Sequence, residues 1–259
     1  MNRPLITLLT DFGVADHYVA AMKGVILGIC PDAQIVDISH EVAPYAIPEA
    51  AYTLAQAWRC FPKGTVHVVV VDPGVGSARR PIVAEASGHR FVAPDNGVLE
   101  MVLDAEPKHR VREITAQAWF RQPVSRTFHG RDIFAPVAAR LACGVAVSRV
   151  GPLIKDCVRP GFSRPYKTKP NVWTGIVLKV DRFGNIITNF ESVFFRNIIE
   201  NNSFQIRIGT GAVSRIFENY AAAPDDQPFA IHGSAGYVEI SARQRSAAAI
   251  LGVVPGNST

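Results

Sequence analysis

The sequence predicts an α/β protein with a mainly parallel sheet in its N-terminal domain and a smaller, mainly β domain at its C-terminal end. In residues 1–158, strand-like and helix-like segments alternate, which is typical of strands joined by crossover helices. From residue 172 onward, short segments alternate apolar and polar residues, as in strands with one covered face. Residues 159–171 are rich in proline and basic residues, which favours an extended linker between the domains.

The elements of the first domain are predicted from local patterns. Pro31 ends the first helix, Pro48 lies in the first turn of the second, and Gly144 is placed to end the last one. The third strand is apolar at nearly every position, as expected for a strand covered on both faces. The predicted strands are 5–9, 34–38 and 66–71, and the predicted helices are 18–29, 47–58 and 133–141.

Composition excludes several classes of protein. With 259 residues, 48% of them hydrophobic, the chain can fill a core, yet no apolar run approaches the ~20 residues that cross a bilayer. Asp11 comes too early for a signal-peptide core, so we expect a cytoplasmic protein that does not bind a membrane. The net charge is +5, but the basic residues are dispersed, which argues against nucleic-acid binding.

The four cysteines are far apart and form no CxxC pair. This spacing indicates neither a zinc knuckle nor a redox dithiol. We therefore expect buried or inert thiols. The cysteines are Cys30, Cys60, Cys143 and Cys157.

Three candidate functional side chains lie where a parallel sheet binds its ligands. Asp11 comes after the first strand, Asp72 comes after the third, and His129 precedes the last helix. Ligands of open parallel sheets bind at the carboxyl ends of the strands, and loops on a rigid sheet often carry function. Each residue also has a structural explanation, because Asp11 could cap a turn, Asp72-Pro73-Gly74 is ordinary turn chemistry, and His129 could be a satisfied loop histidine. Arg79-Arg80 could be a solvated basic pair.

Two other interpretations of this region are disfavoured. Gly74-Val75-Gly76-Ser77 lacks the third glycine of a dinucleotide-binding fingerprint. A metal site built from Asp11, Asp72 and His129 has no local ligand pair such as HxxxH to support it, so we expect no metal. The residues alone thus indicate an α/β enzyme with an Asp/His site of unknown substrate.

A set of motifs extends along nearly the whole chain. They are Thr10-Asp11-Phe12-Gly13, Met22-Lys23-Gly24, Ser39-His40, Val71-Asp72-Pro73-Gly74 with Arg79-Arg80, Ala93-Pro94-Asp95-Asn96-Gly97, Thr127-Phe128-His129-Gly130-Arg131-Asp132, Asp181-Arg182-Phe183-Gly184-Asn185 and Gly233-Ser234-Ala235-Gly236-Tyr237. In their order, they resemble the S-adenosylmethionine hydroxide adenosyltransferases, relatives of the S-adenosylmethionine-dependent fluorinase and chlorinase. The resemblance implies a barrel-like second domain. It also implies a homotrimer whose ligand lies between the first domain of one subunit and the second domain of its neighbour.

The resemblance further implies hydrolysis of S-adenosylmethionine to adenosine and L-methionine, without a cofactor. Water would attack the ribose C5′ with neutral methionine as leaving group, so the nucleophile is the difficult partner. Asp72 and His129 would hydrogen-bond the water and Arg79 would favour developing hydroxide. Whether Asp72 or His129 takes the proton stays open.

The same resemblance implies substrate-binding roles. In the first domain, Asp11 would accept hydrogen bonds from the two ribose hydroxyls, and Tyr45 would form an aromatic wall beside the ribose and the sulfonium.

The second domain would hold the two ends of the ligand. Asp181 would pair with the methionine ammonium and Ser234 with its carboxylate. Asn185 would read the adenine edge with Phe183 nearby, and Tyr220 would stack on adenine.

Alternative functions remain. In the family's halogenases, as the resemblance implies, the acid at the position of Asp72 is absent, the histidine is replaced, and the fluorinase has a hydroxyl residue in place of Gly130. A carboxylate beside a halide would repel it, which favours the hydrolase. A non-catalytic S-adenosylmethionine-binding module would not need the water-activating trio, and a hydrolase of another nucleoside is the third alternative.

Overall fold

The computed structural model describes residues 3–201, 203–224 and 227–253. The ends of the two predicted domains, residues 1–2 and 254–259, lie outside this part of the chain. The chain divides into two compact units, Met1–Pro160 and Gly161–Thr259.

The first unit contains seven strands and four α-helices among its described residues. The strands are β1 (Leu5–Thr10), β2 (Gln34–Ser39), β3 (Val66–Val70), β4 (Pro81–Ala86), β5 (His89–Pro94), β6 (Arg110–Glu113) and β7 (Leu153–Ile154). The helices are α1 (Tyr18–Ile29), α2 (Ile47–Ala57), α3 (Glu100–Ala105) and α4 (Ala135–Ala142). A π-helical turn, Gly130–Phe134, leads directly into α4, and three short 3-10 turns lie at Trp58–Cys60, Gln117–Trp119 and Val147–Arg149.

The seven strands form one sheet in the order β2-β1-β3-β5-β4-β6-β7. Neighbours among β2, β1, β3 and β5 pair in parallel, whereas the pairs from β5 through β4 and β6 to β7 are antiparallel. The mainly parallel sheet predicted from the sequence is confirmed. From β1 the chain passes to β2 on one side and then to β3 on the other, which creates the reversal of strand order beside which ligands of such sheets bind.

Both faces of this sheet are covered. On one face, Met22 of α1 and Val137 of α4 pack against alternate strand residues such as Leu8. On the other, Leu54 of α2 and Val102 of α3 pack against the remaining set. All five residues of β3 are buried, as predicted for a strand covered on both faces.

The last helix of this unit begins earlier than predicted. The sequence pattern indicates a start at residue 133, but the π-helical turn already begins at Gly130. The backbone N–H of Ala135 reaches back five residues to the carbonyl of Gly130. Pro136, in the first turn of α4, has no N–H to donate. Such π turns recur at functional sites, and this one comes directly after His129.

The expectation of four thiols is wrong for two of the cysteines. Cys30 and Cys143, 113 residues apart in sequence, are joined in a disulfide. Each lies just past the end of a helix, α1 for Cys30 and α4 for Cys143, and the two helices pack on the same face of the sheet. Sequence spacing could not reveal this, because tertiary packing brings the two helix ends together. Cys60 and Cys157 are free.

The second unit is built mainly from short strands. These are β8 (Tyr166–Lys169), β9 (Val172–Thr174), β10 (Val177–Val180), β11 (Ile186–Glu191), β12 (Ile206–Ile208), β13 (Gly211–Val213), β14 (Ile216–Phe217), β15 (Phe229–His232) and β16 (Tyr237–Ser241). The helices are α5 (Ser192–Asn201) and α6 (Ala247–Leu251), with a 3-10 turn at Tyr220–Ala222.

A five-stranded sheet in the order β10-β11-β16-β15-β14 forms the centre of this unit. Its pairs are antiparallel apart from β14 with β15. Two separate hairpins, β8–β9 and β12–β13, complete the strands, and β8 lies within the range predicted as linker. The apolar residues of the sheet pack with α6 around Ile186, Val238 and Leu251.

Within the described residues, every helix is too short or too polar to span a membrane.

Candidate active site

Asp11 and Asp72 lie at the same edge of the first unit, each just beyond the carboxyl end of one of the neighbouring strands β1 and β3. Burial raises the pKa of Asp11 above its ordinary value, and the negative charge of Asp72 raises it further, against the lowering effect of the Tyr45 N–H. The two carboxylates therefore lie close enough for the charge of Asp72 to act on Asp11.

Asp72 and Arg79 form a buried ion pair. Arg79 Nε donates to Asp72 Oδ1 at 2.9 Å and to Oδ2 at 3.0 Å, and Nη2 also donates to Oδ2. The side chains are only 4% exposed for Asp72 and 9% for Arg79. Arg79 is therefore not a solvated surface residue. A forked pair of this kind fixes both groups in position.

His129 completes the trio through Arg79. Arg79 Nη2 lies 3.0 Å from His129 Nδ1. A guanidinium carries only donors, so Nδ1 accepts in this contact and the proton of a neutral ring resides on Nε2. Burial lowers the pKa of His129, the positive charge of Arg79 lowers it further, and both effects favour the neutral ring.

The loop before His129 is held by a fully buried carboxylate, that of Asp132. Asp132 accepts from the backbone N–H of Ser125 at 2.8 Å and from Arg131 Nε at 2.7 Å and Nη2 at 2.8 Å. Its own carbonyl accepts from the N–H of Arg121. These contacts close the segment from Ser125 to Asp132, and thereby fix the backbone that carries His129.

The Asp72 side is supported in a similar way. Asn96 Nδ2 donates to the carbonyl of Val71 at 2.9 Å, next to the peptide that leads into Asp72. Arg80, unlike Arg79, is bound to two carboxylates away from the trio, Asp95 and Asp156. The adjacent arginines therefore have different partners, and of the two it is Arg79 that contacts the candidate catalytic groups.

Tyr45 is joined to Asp11 through its backbone. The N–H of Tyr45 donates to Asp11 Oδ2 at 2.9 Å, and Tyr45 has a left-handed conformation with φ of 67°. Tyr45 as a residue is 71% exposed. The backbone contact brings the two predicted ribose-binding residues together and leaves the aromatic ring free to meet another surface.

Space beside His129 is limited by aromatic side chains. A Cβ at Gly130 would lie 3.1 Å from Met22 Sδ, 3.3 Å from Phe128 and 3.4 Å from Phe12. The rings of Phe12 and Phe128 meet edge to face, and Tyr18 contacts both. The absence of a side chain at Gly130 therefore lets Met22, Phe128 and Phe12 keep their present distances from the backbone.

In the second unit, one turn holds three of the predicted ligand residues. Asp181 Oδ1 accepts from the N–H groups of Phe183 at 2.8 Å and Asn185 at 2.9 Å, and Oδ2 accepts from Asn185 Nδ2 at 2.9 Å. Because the Asn185 amide donates to Asp181, its carbonyl oxygen is the natural acceptor for a ligand N–H. Phe183 is 79% exposed at the tip of this turn.

Tyr220 and Ser234 occupy other turns of the second unit. The Tyr220 hydroxyl donates to Glu239 Oε1 at 2.6 Å, and burial together with this contact raises the tyrosine pKa. The charge of Asp181 contributes to the same rise, which places Tyr220 within electrostatic range of the Asp181 turn. Ser234 is exposed in the turn between β15 and β16.

Two residues that organise these sites received no role from the sequence. Asp132 lies within the motif that contains His129, but only the fold shows that its carboxylate closes the loop. Glu239 is buried beneath Tyr220 and also accepts from the Ser241 hydroxyl at 2.9 Å. An acidic residue at a buried strand position is the signal that could have revealed Glu239.

The described residues contain no group of three or more His, Cys, Asp or Glu side chains arranged to hold a metal ion.

Comparison with known proteins identifies the family. Residues 6–151 match the S-adenosylmethionine hydroxide adenosyltransferase N-terminal domain, and residues 175–259 match the C-terminal domain of the same family. The chain is 36% identical over 260 residues to a protein of Salinispora tropica named (R)-S-adenosyl-L-methionine hydrolase, covering 98% of this chain and 96% of that one.

The chain is also similar to a solved structure and to a more distant enzyme. An uncharacterized conserved protein from Thermotoga maritima superposes with a TM-score of 0.84 at 36% identity, covering 98% of both chains. A fluorinase of an Actinoplanes species is 29% identical over 214 residues, covering 73% of this chain and 72% of that one. The resemblance inferred from the motifs is confirmed, and the chain belongs to the S-adenosylmethionine hydroxide adenosyltransferase family.

Proposed function

We propose that this protein hydrolyses S-adenosylmethionine to adenosine and L-methionine. The observation that carries the proposal is the buried chain of contacts from Asp72 through Arg79 to His129, in a family whose full-length relatives include named hydrolases. A module that only bound S-adenosylmethionine would have no use for a buried carboxylate, guanidinium and imidazole in one connected set.

The proposed reaction is a displacement at the ribose C5′. The water oxygen forms a bond to C5′, the C5′–S bond breaks, and its electron pair stays on sulfur to give neutral methionine. The leaving group needs no acid, because the sulfonium already carries the positive charge. The protein has to place the oxygen in line and receive one proton.

The contacts suggest different tasks for the two candidate bases. His129 Nδ1 accepts from Arg79, so the proton of the neutral ring is on Nε2. This Nε2–H donates to the attacking oxygen. Among the described residues, Asp72 Oδ1 accepts from Arg79 Nε alone, so this oxygen retains a lone pair for the proton that leaves the water. We therefore assign the proton to Asp72 and the orienting hydrogen bond to His129.

Binding roles complete the proposal. Asp11 binds the ribose hydroxyls, with Tyr45 beside the sulfonium, where an aromatic face favours positive charge. In the second unit, Asp181 binds the ammonium and Ser234 the carboxylate of the methionine part.

The adenine would meet the remaining residues of the second unit. Asn185 accepts from the adenine amino group, Phe183 packs nearby, and Tyr220 stacks on the ring. The orientation of the Asn185 amide supports this assignment.

The decisive experiment uses water labelled with ¹⁸O. Purified protein is incubated separately with the R and S sulfonium epimers, because the hydrolase relatives are named for the R form. We expect label in the 5′-hydroxyl of adenosine, detected by mass spectrometry, and unlabelled methionine. Absence of adenosine with both epimers would overturn the proposal. A 5′-halo-5′-deoxyadenosine formed with added chloride or fluoride would assign the chain to the halogenases instead.

A matched pair of variants tests the site. Asp72→Asn should retain ligand binding and lose about 10²–10⁴ in kcat, the usual contribution of an acid–base group. Asp156→Asn makes the same chemical change at a carboxylate that is 76% exposed and bound to Arg80, and should leave kcat unchanged. Equal kcat values for the two variants would show that Asp72 has no part in the reaction.

We also propose a homotrimer in which each site takes residues from two subunits. The strong exposure of Tyr45 and Phe183 in the single chain supports this, because ligand-stacking rings are expected to be covered. Neither Asp72→Asn nor Asp181→Ala subunits should be active alone, yet mixed trimers should recover activity, since some sites combine two intact halves. Light scattering would give the subunit number, and absence of recovery would contradict shared sites.

We propose that catalysis needs no metal or other cofactor, since the leaving group departs without a Lewis acid. Full activity after dialysis against a chelator is the expected result. We further propose a cytoplasmic location, where S-adenosylmethionine is available, which cell fractionation would test.

A further inference from the structure

His40 lies directly after β2, beside the carboxyl end of β1, and has no part in the reaction proposed above. Its side chain is almost fully buried, at 5% exposure for the residue. His40 Nδ1 lies 2.8 Å from the hydroxyl of Thr10, the residue that precedes Asp11. A buried imidazole in contact with the last residue of the neighbouring strand is well placed to influence Asp11, the first residue beyond that strand.

The contacts of His40 continue on the far side of Asp11. The Thr10 hydroxyl accepts from the N–H of Phe12 at 3.3 Å, and the carbonyl of His40 accepts from the N–H of Gly13 at 2.8 Å. The backbone is therefore tied to His40 both before and after Asp11. These ties set the direction in which the Asp11 side chain leaves the backbone.

The other ring nitrogen of His40 faces a carboxylate. His40 Nε2 lies 3.1 Å from Asp37 Oδ1, and Lys23 Nζ donates to Asp37 Oδ2 at 2.6 Å. A neutral ring with its N–H on Nε2 accepts at Nδ1 from the Thr10 hydroxyl, and the negative charge of Asp37 favours that tautomer although the Nε2 contact is not aligned as a hydrogen bond. Charged and polar contacts thus extend from Lys23 on α1 through Asp37 and His40 to the segment that carries Asp11.

We infer that His40 is a positioning residue that aims the Asp11 carboxylate at the ribose hydroxyls of the ligand. The inference rests on the role proposed for Asp11. The Asp11 carboxylate and the two ribose hydroxyls form a forked arrangement that tolerates little rotation of the carboxylate. Greater freedom of the backbone on either side of Asp11 therefore weakens this contact first. The reacting groups at Asp72 and His129 are held by separate contacts and are less affected.

The test compares two nucleosides that differ only in the ribose hydroxyls. Affinities for adenosine and 2′,3′-dideoxyadenosine are measured by calorimetry on the full chain. For His40→Ala we expect adenosine binding to weaken about tenfold, the scale of one hydrogen bond to a charged group, with dideoxyadenosine affinity unchanged. KM for S-adenosylmethionine should rise by a similar factor while kcat changes less.

Conservative variants separate positioning from a general role in folding. His40→Asn retains a polar atom near the position of Nδ1 and should bind adenosine better than His40→Ala. His40→Gln retains one near Nε2 and should behave like His40→Ala. Thr10→Val removes the hydroxyl and should also weaken adenosine binding while leaving dideoxyadenosine affinity unchanged. If His40→Ala does not fold, Thr10→Val and His40→Asn together test the inference. His109→Ala is the control, because this histidine contacts Glu106 and Arg159 instead, and it should leave both affinities unchanged.

Equal weakening of both nucleosides, or no weakening of either, would overturn the inference. Asp11→Asn distinguishes that failure from failure of the role of Asp11 itself. If Asp11→Asn binds adenosine as tightly as the wild type, the proposed role of Asp11 is wrong. If Asp11→Asn weakens adenosine but neither Thr10→Val nor His40→Ala does, only the role of His40 is wrong.

Discussion

Arg79 Nη2 approaches Nδ1 of His129 to 3.0 Å, and this contact determines which ring nitrogen can carry a proton when the ring is neutral. Arg79 at the same time grips Asp72 through Nε and Nη2. The guanidinium of Arg79 therefore donates both to the Asp72 carboxylate and to the His129 ring, and each of these two groups acts as an acceptor. Protonation of His129 would place an N–H on Nδ1 against the N–H of Arg79 Nη2, and the hydrogen bond between them would be lost.

The first prediction concerns pH. The pKa of His129 is lowered by burial and by Arg79, so kcat should stay level as pH falls to 6.5, the ordinary histidine value, and decline only below it. His129→Asn offers Arg79 an acceptor but does not titrate, so its acid limb should vanish at a kcat about 10–100-fold lower. A pH–kcat profile of both proteins checks this, and an unchanged acid limb in the variant would assign it to another group.

The second prediction uses two glycines with the same backbone conformation. Gly184 and Gly236 both have φ of 85°, but a Cβ at Gly184 would lie 2.1 Å from Ser246 Oγ, whereas nothing lies within 4 Å at Gly236. Gly236→Ala should cost about 1–2 kcal/mol for the left-handed backbone, and Gly184→Ala about 1–3 kcal/mol more for the clash. Urea unfolding measures both.

Ligand binding provides a second readout for this pair. Gly184 lies in the Asp181–Asn185 turn and Gly236 in the turn that carries Ser234, so both substitutions should raise KM, and Gly184→Ala should raise it more because of its clash with Ser246. Equal stability of the two variants would show that the contact with Ser246 yields without cost.

The third prediction concerns stability in acid. Burial and the neighbouring His89 lower the pKa of His67 to about 3. Because the unfolded chain takes up this proton near pH 6.5 and the folded chain does not, stability falls as pH decreases from 6.5 toward 3. At pH 4.5 the loss from this group is about 2–3 kcal/mol relative to neutral pH. His67→Gln should remove most of that slope in urea unfolding, whereas His109→Gln should retain it.

The fourth prediction concerns the disulfide between Cys30 and Cys143. A cross-link across 113 residues restricts the unfolded chain, so replacing both cysteines with serine should lower stability by about 2–4 kcal/mol. A reductant should have a similar effect on the wild type and none on the variant. Cys60→Ser is the control, since that thiol is free. Identical melting temperatures with and without reductant would show that the two sulfurs are not joined in solution.

How far the sequence could predict the structure depends on the range of the interactions. β1, β2 and β3 are predicted within a residue at each end, because apolar β-rich runs and proline stops are local signals. The start of α4 is missed, since its π turn depends on tertiary contacts such as those of Asp132. The pairing of Cys30 with Cys143 is missed for the same reason.

The candidate site shows the same division. Strand ends indicate Asp11 and Asp72, but the burial of Arg79 and its contact with His129 require the fold. Residue types at a strand end show which chemistry is available. Residue types do not show which donor binds each lone pair of Asp72 and His129. These contacts determine whether a side chain can accept a proton or donate one.

The packing around Gly130 limits how the site could be changed to use a halide instead of water as the nucleophile. A hydroxyl-bearing residue at this position would press its Cβ against Met22 Sδ at 3.1 Å and against two phenylalanine rings. Rings in a packed wall yield little, whereas a thioether on a flexible side chain can swing aside. Redesign toward halide chemistry should therefore depend on Met22 of α1 moving or being replaced, and a library that varies only the loop around His129 leaves that adjustment to the thioether alone.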